Sequence, residues 1–94
     1  MVVASQTWEL SLPGCASLKE KRSVVRSLRD RLRTKFNVSV AETGFQDVHA
    51  RAEISIALVA SDRRLAESVL DKADDFVEAH GGAVIVRVDR EVHR

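Results

Sequence analysis

Ninety-four residues with a formal net charge of +1 suffice for one small domain and leave no room for a second. Apolar residues make up 45% of the chain and charged residues 31%, a balance that fits a folded globule with a compact core and a heavily charged surface. No apolar run approaches the ~18–20 residues that cross a bilayer, no basic region precedes an apolar block near the N-terminus, and the single Cys15 cannot form an intramolecular disulfide. These features predict a cytoplasmic protein without a membrane partner.

Residues 2–12 alternate, with Val2, Ala4, Trp8, Leu10 and Leu12 on one side and Ser5, Thr7, Glu9 and Ser11 on the other. That is the period of a half-buried strand. The segment "PGCA" breaks it, and Ser17 with Glu20 forms an S-x-x-E capping box that starts a helix at Leu18. Leu18, Val24, Val25, Leu28 and Leu32 recur at helical spacing, and the helix ends near Lys35. Phe36, Val38 and Val40 give a second strand, "TGFQD" a turn, and Ala52, Ile54, Ile56, Leu58 and Ala60 a third strand. Asp62 caps a second helix built on Leu65, Ala66, Val69, Leu70, Ala73, Phe76 and Val77, which Gly81 and Gly82 stop. Val84, Val86 and Val88 then alternate into a fourth strand.

This order predicts a single α+β domain over residues 1–94, the ferredoxin-like βαββαβ pattern. Four antiparallel strands in spatial order 4-1-3-2 carry both helices on one face. The other face presents Ser5, Thr7, Glu9, Ser39, Ala41, Thr43, Glu53, Ser55, Ala57, Ile85 and Arg87.

Charge is distributed unevenly over this frame. Residues 17–35 hold eight basic and two acidic residues, a formal +6, and residues 62–80 hold three basic and six acidic residues, a formal −3. On the first helix Arg22, Arg26, Arg29 and Arg33 form a stripe at i, i+4, i+7 and i+11, which Lys19 extends. The stripe lies about 120° round from the apolar centre. On the second helix Glu67, Asp71, Asp74 and Glu78 repeat the spacing in the same rotational sense. A right-handed crossover sets the first helix toward strand 2 and the second toward strand 4. Because the helices run antiparallel, the two stripes face opposite outer flanks. Ser27 and Ser68 are expected between the helices, with Glu20, Arg31, Arg64 and Asp75 near that seam.

A planar guanidinium matches phosphate oxygens, and a stripe of them can follow a nucleic-acid backbone. The candidate nucleic-acid-binding residues are therefore Lys19, Arg22, Arg26, Arg29 and Arg33, against the simpler reading of a solvated charged face. The open sheet face lacks central aromatics for stacking single-stranded bases, so structured RNA fits better. That face and the exposed edge strands are alternatively a route to a homo-oligomer. His49, His80 and His93 do not share ligand spacing, Cys15 has no spaced histidine partner, and Glu9 with Glu53 lacks other pocket chemistry. No metal site, cofactor or catalytic residue is expected.

The run "SLKEKRSVVRSLRDRLRTKFNVSVAE", then "QD" and "RAEISIALVASD", resembles the YlxP-like bacterial family of unknown function, with the match running from about Pro13 to Asp62. The resemblance implies the ferredoxin-like fold. It also implies a genomic neighbourhood of translation-initiation and ribosome-maturation genes, and assigns no catalytic residue. The family's aromatic-containing loop after Q-D reads "QDVHARA" here. The resulting expectation is a non-enzymatic accessory protein that binds structured RNA or a ribosomal particle. A homo-oligomeric interaction module is the alternative, and a small acyl-phosphate hydrolase using the first loop is third.

Overall fold

The computed structural model describes residues 1–94. Its elements are β1 (Val2–Ser11), α1 (Leu18–Lys35), β2 (Ser39–Gly44), β3 (Arg51–Ala60), α2 (Arg63–Ala79) and β4 (Val84–His93). The four strands form one antiparallel sheet in the order β2-β3-β1-β4, as the alternation predicts, with α1 against β2 and α2 against β1, β3 and β4.

Local chemistry sets the helix starts. The Ser17 hydroxyl accepts from the Glu20 amide at 3.2 Å, and the Glu20 carboxylate reaches back to the Ala16 amide at 2.9 Å. Asp62 accepts from the Leu65 amide at 2.8 Å. Each cap occupies one of the donors that a helix N-terminus leaves open. After α2 the chain reverses through Gly82, whose φ of 89° is costly for any residue with a Cβ.

The core fills the space between sheet and helices. Val25, Leu28 and Leu32 of α1 and Ala66, Leu70, Ala73 and Val77 of α2 join Trp8, Leu10, Ile54 and Ile56 in one buried cluster. The alanines on α2 let that helix lie close to the sheet. The helices touch near their C-terminal ends through Phe36 and Phe76, edge to face at 6.0 Å, with His80 against Phe76 and the Lys35 ammonium 5.3 Å above the Phe76 ring. The expected seam is therefore aromatic. Ser27 and Ser68 are half-buried, and no ion pair joins Glu20 or Arg31 to Arg64 or Asp75.

Strand boundaries differ from the periodicity at two places. Phe36 ends α1 as its cap and leaves β2 to begin at Ser39. β4 runs to His93 and carries a bulge: Glu9 pairs with Arg87 but Leu10 pairs with Ile85, so Val86 is the inserted residue. The insertion reverses the phase of the alternation. Ile85 packs against the core beside Leu10, whereas the open face receives Val84, which is 56% exposed. Val88, beyond the bulge, keeps the expected helix-side phase opposite Trp8.

Candidate nucleic-acid interface

The cationic flank begins with a buried lysine. Lys21 belongs to the inner face of α1 with Val25, Leu28 and Leu32, and is 2% exposed. A buried ammonium requires partners. Its Nζ lies 3.0 Å from Glu42 of β2 and donates to the Phe45 carbonyl in the β2–β3 turn. Phe45 holds a positive φ of 57°, so Lys21 clamps the carbonyl of a turn whose backbone is in an unfavoured conformation. The turn is tight at Gly44 as well, where an added Cβ would come within 3.1 Å of the Glu53 side chain. Lys21 thus fixes the β2–β3 hairpin against the second turn of α1.

Outside this clamp run the remaining cations. Arg22, Arg26 and Arg33 are exposed, and Arg29 is half-buried. They lie along the β2 edge: Arg22, Arg26 and Arg29 border a groove of about 320 Å³ with Lys21, Val25, Glu42, Gln46 and Asp47. Arg33 points to the Val40 carbonyl at 3.4 Å. Lys19, Arg22 and Arg26 also line a shallow depression with Ser23, Ser27 and Asp30. None of these five cations enters an ion pair. The Nε of Arg29 is shielded from solvent without an acceptor. Of the two acidic residues on the helix, Glu20 holds the Ala16 amide and Asp30 pairs with none of these cations; the Asp30 backbone carbonyl receives the Thr34 hydroxyl.

The acidic flank is arranged otherwise. Asp71 and Asp74 receive Arg90 of β4 at 2.9 and 3.0 Å, and Glu67 receives Arg63 at 3.2 Å. Asp74 also accepts from the Trp8 indole at 2.7 Å and from Gln6, while Arg90 donates to the Gln6 carbonyl oxygen at 2.5 Å. Gln6 and Trp8 are fully buried, so these bonds satisfy polar atoms that water cannot reach. Neither Gln6 nor Lys21 carries an apolar signal. Their inward phase, set by the neighbouring apolar positions, is the one sequence feature that points to them.

Residues 3–90 match a family described as "Protein of unknown function (DUF503)". The chain belongs to this family. It is 41% identical over 63 residues to "Uncharacterized protein YlxP" of Bacillus subtilis (strain 168), covering 67% of this chain and 68% of that protein. The crystal structure of a C-terminal segment of the alpha subunit of aIF2 from Pyrococcus abyssi superposes with a TM-score of 0.47 at 18% identity, over the whole of this chain and 49% of that one. For this DUF503 member the open sheet face is also accounted for. Thr7, Ser55 and Thr43 form a row of hydroxyls 2.8 Å apart, Thr43 donates to Glu53 at 2.6 Å, and Arg51 pairs with Glu9. Arg87 pairs with Asp89 along its own strand at 3.2 Å.

Proposed function

We propose that the protein is a non-enzymatic accessory factor that binds structured RNA, on its own or within a ribosomal particle, through Lys19, Arg22, Arg26, Arg29 and Arg33. The observation that carries this reading is the gathering of five cations on one flank of a single helix with no carboxylate within ion-pair distance of any of them, whereas Lys21, Arg51, Arg63, Arg87 and Arg90 are each paired. Arginines at successive turns of one helix lie ~5–6 Å apart and repel one another mildly, and a polyanion removes that repulsion. Their forked donors suit phosphate oxygens and carry no base readout, so binding is nearly blind to sequence.

The test is binding of a structured RNA across a salt series. The wild-type protein loses about 0.7–0.9 units of log K per log unit of salt for each phosphate neutralised. Replacing the exposed Arg22 and Arg26 by glutamate abolishes binding while the circular-dichroism melting curve stays in place. Retained RNA binding and ribosomal co-sedimentation by the folded double variant refutes the assignment.

The two other readings have less support. A subunit contact between basic and acidic flanks needs free carboxylates, but three of the four on the acidic stripe, Glu67, Asp71 and Asp74, already hold arginines of their own chain and only Glu78 is unpaired. A hydrolase using the first loop needs open donors there, but Ser17 and Glu20 occupy the Glu20 and Ala16 amides.

A further inference from the structure

The two edges of the sheet are unlike. β2 has six residues, its Val40 carbonyl lies near the Arg33 guanidinium, and a row of like charges stands beside it. Such features discourage strand addition. β4 has ten residues, no proline and no lysine, and nothing in the fold lies beyond it. Its outward N–H and C=O groups therefore form an open hydrogen-bonding edge. Val84, Val86 and Val88 along it are 56%, 51% and 42% exposed. Beside the edge, under α2, runs a groove of about 630 Å³ lined by Asp74, Asp75, Glu78, Ala83, Val84, Ile85 and Val88.

We infer that this edge docks a second copy of the chain, β4 pairing antiparallel with β4 across a two-fold axis through Val88. The charges on β4 select that register. With the axis at Val88, Arg87 stands opposite Asp89 of the partner subunit on both sides of the axis, and the two Val88 side chains meet on the helix side. Moving the axis to Asp89 sets two carboxylates face to face. Moving it to Arg90 sets arginine against arginine and Asp89 against Glu91. Like charges directly opposite are destabilising in antiparallel pairs and opposite charges favourable, and the axis at Val88 is the one that sets arginine against carboxylate on both sides without also setting like charges opposite. In that register Val86 lies opposite Arg90 of the partner subunit, and Arg90 keeps its bonds to Gln6, Asp71 and Asp74 of its own chain. The dimer is an eight-stranded sheet, and its two cationic helices lie at opposite outer ends.

Light scattering of the full chain at low salt and high concentration gives twice the 10.4 kDa subunit mass. Val88→Lys halves the measured mass and keeps the native circular-dichroism spectrum, because position 88 is already partly exposed in the single subunit. Arg87→Asp alone weakens the dimer, and combining it with Asp89→Arg restores it. Val88→Cys yields a disulfide-linked dimer under mild oxidation; the native Cys15 is buried and does not. A single-subunit mass at every concentration overturns the inference, including the case in which the edge instead captures an unrelated extended peptide. A dimer that tolerates Val88→Lys and leaves Val88→Cys uncross-linked overturns it equally.

Discussion

The two helices carry four like charges each at the same spacing, yet the two flanks use them differently. On the α2 side three of the four carboxylates, Glu67, Asp71 and Asp74, meet Arg63 and Arg90, and Asp74 reaches the buried Trp8 and Gln6. On the α1 side the arginines find no carboxylate, and the one cation that does, Lys21, sits outside the stripe on the inner face. Identical periodicity therefore conceals opposite roles. One stripe is tied into the fold through β4, and the other borders the β2 edge with its charge unneutralised.

Substitutions can break this contrast or sharpen it. The largest effect is expected at the joint between the acidic flank and the core. Trp8→Ala removes a fully buried side chain and one donor to Asp74, and lowers unfolding free energy by about 3–5 kcal/mol in denaturant titration. Lys21→Ala comes next, at about 3 kcal/mol, because it leaves Glu42 facing a dry interior; Glu42 is partly exposed, which keeps the cost at the low end for a broken buried pair. Arg90→Ala follows with a loss of about 2 kcal/mol, the scale of hydrogen bonds to charged partners. Arg22→Ala and Arg26→Ala, on the opposite flank, change stability by no more than about 0.5 kcal/mol. Equal losses at Arg90 and Arg26 would erase the distinction between the flanks.

The smallest effect is a pH dependence at the aromatic seam. Burial, with a further contribution from the charge of Arg31, lowers the pKa of His80 from 6.5. The unfolded chain then takes up the His80 proton first as pH falls. The native state consequently loses stability as pH drops below 6.5 toward the folded pKa, with no contribution above that range. Replacing His80 by glutamine flattens this part of a stability–pH curve. An unchanged slope would show that His80 does not cause it.

Much of the frame is legible in the chain because local rules act within a few residues. Ser17 with Glu20 and Asp62 mark the helix starts, and the alternation of β1 and β3 identifies the central strands. The sites where reading fails depend on distant partners. Gln6 is tolerable in the core because Arg90 and Asp74 meet it, 84 and 68 positions away. Lys21 is tolerable because Glu42 and the Phe45 carbonyl meet it across the sheet edge. In β4 a single inserted residue, Val86, reverses the phase of the valines, and no propensity announces it. The placement of the arginine stripe beside β2 follows from strand order and helix phase, but the absence of acidic partners is a property of the folded chain alone.

The clamp at Lys21 also divides the segment "SLKEKR" by chemical accessibility. Lys19 stands in solvent while Lys21, two residues on, has its amine enclosed and hydrogen-bonded. An acylating enzyme or reagent would thus find one nucleophilic amine where the sequence shows two. Modification there would mask an external cation and leave the hairpin's internal fastening untouched.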